Sequence, residues 1–308
     1  MKTIPIEELF LIVYVLADDW YKRKGQYMVD RTVGQRPSFS DSEVLTLMLA
    51  IDFFEFTSER RYISFVRANY LKLFPELLTQ GQYNRRANHL RYLLNELRKA
   101  LAQELGVNFE NHFLLDTTPV IAVGYRRDKS HSAFRESAAY GRCAARKMKY
   151  WGYKLVMLTT LNGTPYAFDL VPANTDERVA ADEVLDSLPE DSMVVEQRRN
   201  NVWADKGFIK DVWQEEWKSQ GVKIWTQKRV DQLEQNPPAF DQLLNQVRER
   251  VETAYDLLKE GGRSIEHTLA RTIKGLSSRV IAKISAVTLR LYLRRFFNID
   301  VLTYTGNP

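Results

Sequence analysis

The stretch Asn111-His-Phe-Leu-Leu-Asp-Thr-Thr-Pro-Val-Ile-Ala-Val123 carries one carboxylate, Asp116, in the middle of a short apolar run. The aliphatic and β-branched residues around it are typical of a buried β-strand. An unpaired charge is costly to bury, so a lone aspartate in such a strand needs an explanation. Two explanations remain open at this point. The side chain caps the backbone of Thr117 or Thr118, or it is a metal ligand held on a rigid strand.

The composition is that of a globular protein with one large or two moderate domains. Of its 308 residues, 44% are hydrophobic and 27% are charged. No run of about 18 uncharged apolar residues predicts a membrane span, and the first residues lack the apolar core of a signal peptide. The single cysteine, Cys143, excludes an internal disulfide framework and a cysteine-rich zinc site. We therefore expect a cytoplasmic protein with no membrane partner.

The net charge of +5 is small, but the basic residues are clustered. One basic block runs from residue 126 to 149, and another runs from residue 263 to 295. Each block has two interpretations, a solvated surface or a surface for a polyanion. In the first block, Arg142 and Arg146 follow small residues in a segment, 137–146, that we expect to be a loop able to reach phosphate groups.

Residues 1–107 have the pattern of an all-helical domain. Ser40 and Glu43 form a capping-box signal at the start of one helix, and a short helix is predicted at 71–78. A long last helix, from Gln80 to about Leu105, presents Arg85 and Arg86 among its polar positions. A compact helical set ending in a basic helix fits a helix-turn-helix DNA reader, but small helical bundles are common.

From residue 109 onward the pattern changes to an α/β core. Three strands predicted at about 111–123, 149–160 and 165–171 form an antiparallel meander, and strands and helices then alternate. The fourth strand ends in Asp205, and a long helix from about Phe240 to Lys259 carries Glu252. The result is a mixed sheet of five strands with helices, in which the first and fourth strands can be neighbours.

That topology can bring Asp116, Asp205 and Glu252 to one point. Glu252 also has a simpler interpretation, a surface residue that pairs with Arg248 one helical turn earlier. Three converging carboxylates cannot all stay charged without a counter-charge, and hard divalent cations supply one. Magnesium takes oxygen ligands, and two such ions about 3.5–4 Å apart stabilise an in-line phosphoryl displacement. The lack of clustered cysteine and histidine argues against zinc.

Several motifs resemble those of DDE transposases, and most closely those of the insertion sequence 982 family within the wider insertion sequence 4 and 5 group. They occur in order through the second half of the chain. They are Leu115-Asp-Thr117, Ala138-Ala-Tyr-Gly-Arg-Cys-Ala-Ala145, Tyr153-Lys-Leu155, Pro172-Ala-Asn-Thr-Asp-Glu-Arg178, Ala204-Asp-Lys-Gly-Phe-Ile209 and Arg250-Val-Glu-Thr-Ala-Tyr255.

The resemblance implies an RNase H-like catalytic core in which Asp116, Asp205 and Glu252 bind two Mg²⁺ or Mn²⁺ ions. Arg248 and Lys259 match two positions of a signature around the glutamate, but Asn245 stands where that signature has tyrosine. The expected partners are double-stranded DNA, as terminal inverted repeats and target, and a second subunit in the DNA complex. The expected location is the nucleoid of a bacterial or archaeal cytoplasm. The residues expected to contact DNA are Arg248, Lys259, Lys206, Arg126, Arg127, Arg142, Arg146, Arg85 and Arg86.

The resulting hypothesis is a transposase with three parts. Residues 1–107 form a helical DNA-binding domain, 108–297 the catalytic domain and 298–308 a tail. It would cut DNA at the terminal inverted repeats of an insertion sequence and join the ends to a target. Two alternatives remain open: a nuclease of the same fold that only hydrolyses DNA, and a domesticated DNA-binding protein without catalysis.

Overall fold

The computed structural model describes residues 3–29, 37–126, 129–130, 132–143, 147–188, 200–228, 236–259, 263–265 and 269–301. The side chains at 247, 248, 250 and 251–254 also lie outside the description. Contacts divide the chain into two compact units. The helical unit comprises Met1–Leu105 and Leu258–Pro308, and the α/β unit comprises Gly106–Leu257.

Eight α-helices and six β-strands are present in the described part of the chain. The helices are α1 (Ile6–Arg23), α2 (Asp41–Ala50), α3 (Glu59–Asn69), α4 (Gln80–Glu104), α5 (Glu177–Leu185), α6 (Asp211–Ser219), α7 (Pro238–Lys259) and α8 (Ile273–Phe297). The strands are β1 (His112–Val123), β2 (Ala139–Cys143), β3 (Met148–Thr160), β4 (Pro165–Pro172), β5 (Asn200–Ala204) and β6 (Val222–Thr226). None of the helices described combines the length and apolar character needed to cross a lipid bilayer.

Side-chain caps set where the helices of the helical unit begin. The predicted capping box is confirmed: the Glu43 backbone N–H donates to Ser40 Oγ (3.2 Å), and the Ser40 N–H donates to the Glu43 carboxylate (2.6 Å). Thr79 and Gln82 form a second box at the start of α4. The helix predicted at 71–78 is wrong, because that segment consists of turns and extended backbone. Pro75 lacks the N–H that a continuing helix needs.

The last helix belongs to the helical unit. Leu289 and Leu293 of α8 are fully buried in the same core as Leu93 and Leu97 of α4. The sequence-based boundaries placed residues up to 297 in the second domain, whereas the contacts group everything from Leu258 onward with the N-terminal helices. The apolar side chains of α8 are the physical reason, since they belong to one core with buried residues between Ile4 and Leu101.

The α/β unit contains a mixed sheet, which confirms the predicted α/β class. Strand β1 lies between β3, to which it is antiparallel, and β5, to which it is parallel. The strand order is β2-β3-β1-β5-β6, and β4 pairs with β3 as well. The strand that carries Asp116, β1, therefore lies inside the sheet of the α/β unit, and its residues up to Leu115 are paired on both sides.

Strand β2 is a correction to the prediction of a loop at 137–146, and it makes the sheet six-stranded rather than five-stranded. Its residues alternate in exposure, as a strand at a sheet edge does: Tyr140 and Arg142 are exposed, and Gly141 between them is half-buried. A Cβ atom on Gly141 would lie 2.8 Å from the Cβ of Ala173, so glycine permits this close packing. The small residues of this segment therefore allow an edge strand to pack closely, rather than forming a loop.

One face of the sheet is covered by α5 and α6, which we call the α5/α6 face. Its buried residues include Leu115 and Val156 on the strands and Val184 and Trp213 on the helices. The opposite face is the α7 face, where Phe240 of α7 packs on the rings of β5 and β6. Side chains alternate between the two faces along each strand, so every strand residue can be assigned to a face.

Candidate active site

Asp116 lies near the middle of β1 and is half-buried. Its Oδ1 atom accepts a hydrogen bond from the backbone N–H of Thr117 at 2.7 Å. Its register partner on β3 is Met157. Leu115 before it belongs to the core of the α5/α6 face, so Asp116 is on the α7 face. The local cap that the sequence suggested is therefore present.

Asp205 is the first residue after β5. Strands β1 and β5 are parallel neighbours whose last register pair is Leu115 and Ala204, and each aspartate is the residue that follows. Neighbouring strands are about 4.8 Å apart, and residues in register on parallel strands are on the same face. The register therefore gives the two aspartates neighbouring backbone positions, although 88 residues separate them in the chain.

The turn after Asp205 depends on a glycine. The Asp205 carbonyl accepts a hydrogen bond from the Phe208 N–H at 3.1 Å, which closes a short 3-10 turn. A Cβ atom on Gly207 would lie 1.9 Å from Oε2 of Glu177 at the start of α5. Glu177 is also 3.8 Å from Nζ of Lys154. The glycine of the Lys206-Gly207 motif thus lets this turn lie against an ion pair.

Tyr255 connects α7 to the Asp116 strand. It is 2% exposed, and its hydroxyl donates to the main-chain carbonyl of Asp116 at 2.5 Å, with the Met157 carbonyl 3.4 Å away. Burial, and then the charge of Asp116, raise the pKa of Tyr255 well above its usual value. The hydroxyl therefore stays protonated and acts as a donor.

The position of Glu252 follows from the same helix. Residue 252 is three residues before Tyr255 in α7, and residues three apart share a face of an α-helix. The Glu252 side chain lies outside the described residues, so only its backbone position in α7 is described. The backbone position is on the side of α7 that carries Tyr255 to the sheet.

A series of stacked aromatic rings lies on the α7 face beside the two aspartates. Trp203, two residues before Asp205, stacks on His112 (6.0 Å between ring centroids) and on Trp225 (5.7 Å). Phe240 of α7 packs on Trp225 at 5.2 Å, and Lys223 Nζ is 3.6 Å from the centroid of the Trp225 ring. These contacts fix the start of α7 on β5 and β6, while Tyr255 fixes its later turns on β1.

The basic residues predicted to contact DNA differ in their surroundings. Arg85, Arg126 and Arg142 are exposed, and Lys206 and Lys259 are half-buried. Arg86 instead donates to the Phe39 carbonyl and pairs with the Asp41 carboxylate, which gives it a role inside the helical unit. Outside the description lie Arg127, Arg146 and the side chain of Arg248.

The donor set fits a hard divalent cation. Asp116 and Asp205 offer carboxylate oxygens, which magnesium and manganese prefer as ligands. Among the described side chains, no three of His, Cys, Asp and Glu are grouped closely enough to hold one metal ion. The side chain of Glu252 is not part of that set.

The sequence analysis singled out both aspartates but not Tyr255 or the aromatic series. Tyr255 was visible only as the end of the Arg250–Tyr255 motif, and its spacing of three residues from Glu252 is the signal that could have identified it. The tryptophans at 203 and 225 alternate with small or apolar residues in the predicted strands. Only the register between the strands shows that they stack.

A family model described as "Transposase DDE domain" matches residues 106–273, which is more than half of the chain and includes all of the α/β unit. No curated protein and no solved structure matches the chain.

Proposed function

Because the chain belongs to the transposase DDE domain family, we propose that it cuts DNA at the terminal inverted repeats of an insertion sequence and joins the ends to a target. The motifs favour the insertion sequence 982 group and an RNase H-like core. The observation that supports the proposal is the register of β1 and β5, in which Leu115 pairs with Ala204, the residues directly before Asp116 and Asp205.

In this proposal the two aspartates and Glu252 hold Mg²⁺ or Mn²⁺, with two ions per site. Bound divalent cations would stabilise charge on the attacking and leaving oxygens of a phosphoryl transfer. The chain's own contribution is rigidity: β1 is paired on both sides, and α7 is fixed to the sheet at Phe240 and Tyr255. Carboxylates held in this way lose little conformational freedom when they bind a cation.

The basic residues would bind the DNA backbone, which carries one negative charge per phosphate. Arg126 and Arg142 are exposed in the α/β unit and are the described side chains best placed for this role. Lys206, Lys259, Arg127, Arg146 and Arg248 complete the proposed set. We also propose that the helical unit recognises the terminal repeat, and that two subunits bridge two DNA ends.

The experiment is cleavage of a DNA fragment that carries the element end, by purified full-length protein with Mg²⁺ or Mn²⁺. The variants D116N, D205N and E252Q should each lose cleavage by at least about a thousandfold while they still bind the fragment. D169N is a matched control, because Asp169 Oδ1 accepts from the next backbone N–H at 2.7 Å as Asp116 does. Its register partner on β3 is Val156, which belongs to the α5/α6 face.

E249Q is the control for E252Q, since Glu249 is an exposed glutamate one turn earlier in α7. Full cleavage by D116N, D205N or E252Q would remove that residue from the site. A substrate with a pre-cut terminal 3′-hydroxyl separates transposition from hydrolysis. Product joined to a target plasmid supports the transposase, and cleavage without joining supports a nuclease.

A further inference from the structure

Two exposed tyrosines form a pair where the C-terminal end of β1 lies near the edge strand β2. Tyr125 follows β1 and is 44% exposed, and Tyr140 of β2 is 56% exposed. Their ring centroids are 5.7 Å apart, with an interplanar angle of 76°. Lys129 Nζ lies 5.6 Å from one ring centroid and 5.2 Å from the other, within the range of a cation–π contact. Two large rings are thus held in contact and kept at the surface.

More positive charge lies on the same side of β2. Tyr140 and Arg142 are two residues apart in a strand, so their side chains share a face, and both are exposed. Arg142 is the register partner of Lys149 on β3, and Lys149 is also exposed. We call Tyr125, Lys129, Tyr140, Arg142 and Lys149 the tyrosine patch. It joins two aromatic rings to three cations.

The strand register places this patch on the α7 face, which also carries the two aspartates. Along β3, the partner of Asp116 is Met157 and the partner of Tyr140 is Trp151, six residues earlier. An even number of residues along a strand returns to the same face, and six residues span about 20 Å. A DNA strand that enters the proposed active site can therefore continue along this face to the patch.

The chemistry of the patch fits DNA with unpaired bases. Cations attract phosphates of any sequence, whereas exposed aromatic rings stack on the faces of bases. Bases in an intact duplex have both faces covered by their neighbours, so a ring gains this contact only where the bases are unpaired. We infer that the tyrosine patch binds an unpaired segment of the DNA substrate, with Tyr125 and Tyr140 stacking on bases and Arg142 and Lys149 contacting phosphates.

This inference rests on the proposed function, and binding measurements can separate the two. The probes are a fluorescein-labelled 30-nucleotide oligothymidine and a labelled 30-base-pair duplex, titrated with full-length protein in an anisotropy assay. The variant Y125A/Y140A should bind the single strand at least about fivefold more weakly. It should bind the duplex within twofold of the wild type. Y125F/Y140F keeps both rings and should bind both probes as the wild type does.

Salt dependence distinguishes ring contacts from phosphate contacts. The slope of log K against log salt should stay unchanged in Y125A/Y140A, whereas R142Q should reduce it by about 0.7 on the single strand. Tyr27 is 80% exposed in the helical unit, so Y27A is the matched control and should leave affinity unchanged. Thermal unfolding checks folding, and Y125L/Y140L replaces the alanine variant if that one does not fold.

The outcomes are distinct. A wild type that binds neither probe overturns the proposed function together with the patch. Single-strand binding that is unchanged in the alanine or leucine variant overturns the patch and leaves the proposed function standing. An equal loss of single-strand binding with Y125F/Y140F or Y27A also overturns the patch. The aromatic faces of Tyr125 and Tyr140 would then not account for the binding. A selective loss on the single strand, restored by phenylalanine, supports it.

Discussion

The hydroxyl of Tyr255 donates a hydrogen bond to the main-chain carbonyl of Asp116, across 139 residues of sequence. One buried side chain thus links the helix that carries Glu252 to the strand that carries the first aspartate. The hydrogen bond is made to the main-chain carbonyl of Asp116. It therefore holds the backbone that carries the side chain, and it does not use either carboxylate oxygen. Tyr255 is therefore a positioning residue in the proposed site.

Replacing Tyr255 by phenylalanine tests this role. Y255F keeps the buried ring and removes the donor, so stability should fall by about 1 kcal/mol. We expect metal-dependent DNA cleavage to fall by roughly tenfold, since a misplacement of about 1 Å is costly for a positioned group. DNA affinity should be unchanged. Cleavage rates at saturating DNA, together with anisotropy titrations, measure the two effects separately.

Y166F provides the matched control, because the Tyr166 hydroxyl also donates to a main-chain carbonyl, that of Ser187, at 3.0 Å. Tyr166 packs against the core of the α5/α6 face, away from Asp116. Equal cleavage by Y255F, Y166F and the wild type would show that the hydrogen bond to Asp116 has no positioning role. If the cleavage rate rises with added metal only in Y255F, the variant's defect lies in metal binding.

Arg85 and Arg86 are neighbours in α4 for which we predict opposite effects. Arg85 is exposed, whereas Arg86 donates to the Phe39 carbonyl and pairs with Asp41, whose side chain is 6% exposed. R85Q should weaken binding of the element end with little change in stability. R86Q should lower the free energy of unfolding by about 2 kcal/mol, because it leaves the Asp41 carboxylate and a carbonyl without their charged donor.

Urea unfolding and anisotropy titrations of both variants check this pair. A stable R86Q with weakened DNA binding would return Arg86 to the DNA-contacting set. An R85Q variant that binds the element end like the wild type would remove the exposed face of α4 from the proposed repeat-recognition surface.

Asp52 and Arg263 form a buried ion pair in the helical unit. The Arg263 Nε atom is 3.7 Å from Asp52 Oδ1, and the two side chains are 5% and 1% exposed, respectively. Neither Asp52 oxygen has a hydrogen-bond partner among the described residues. Burial lowers the pKa of Arg263, but the charges of Asp52 and Glu59 outweigh burial, and the pKa is raised overall. The guanidinium therefore stays charged.

Removing one partner of this pair should be more harmful than removing both. D52N leaves the buried guanidinium without its counter-charge and should cost about 3–5 kcal/mol in the free energy of unfolding. The double variant D52L/R263M replaces both charges with apolar groups and should recover most of that loss. Chemical denaturation of D52L, R263M and the double variant gives the coupling energy. Additive effects would mean that the two groups do not interact.

The sequence was sufficient to predict the local parts of the fold, but it was insufficient to predict contacts between distant segments. The Ser40–Glu43 cap and the Asp116 and Asp205 strands depend on side-chain patterns within a few residues, and such patterns are readable. The assignment of α8 to the helical unit depends on packing with α4, about 190 residues away, and no local pattern contains that information. Strand β2 was missed because its glycine, Gly141, and its alanine, Ala139, have low strand propensity.

The candidate site shows the same limit. Periodicity indicated one strand that carries Asp116 and another that leads to Asp205, but only the register of β1 and β5 gives the two residues neighbouring positions. Periodicity does not predict the Tyr255 hydrogen bond, because a tyrosine on the buried face of a helix has the same pattern as an ordinary core residue. Its function depends on which carbonyl its hydroxyl reaches.

The turn before α5 supplies a pH-dependent prediction. Asp176 caps α5 by accepting from the Arg178 N–H at 3.0 Å, and the Arg178 guanidinium donates to both carboxylate oxygens, at 2.8 and 2.6 Å. The side-chain hydrogen bonds from Arg178 are the main cause that lowers the pKa of Asp176 from 3.8 to about 2. The ionised carboxylate is thus favoured in the folded protein.

The sign of the pH effect follows from this lowered pKa. A group whose pKa is lower in the folded protein binds its proton first in the unfolded chain, so protonation favours unfolding. The stabilisation is fully present above about pH 4, and it is lost as the pH falls from the unfolded pKa of 3.8 toward the folded pKa of about 2. Because the side chain is 47% exposed, solvent screening keeps the total small.

D176N isolates the charge, since asparagine can still accept from the Arg178 N–H, and D176A removes the cap as well. Urea unfolding at pH 5, 4 and 3 should show the wild type more stable than D176N at pH 5, with the difference shrinking toward pH 3. D176A should be less stable than D176N by about 1 kcal/mol at every pH, because it also lacks the capping oxygen. A constant difference between the wild type and D176N across this range would show that the charge of Asp176 does not stabilise α5.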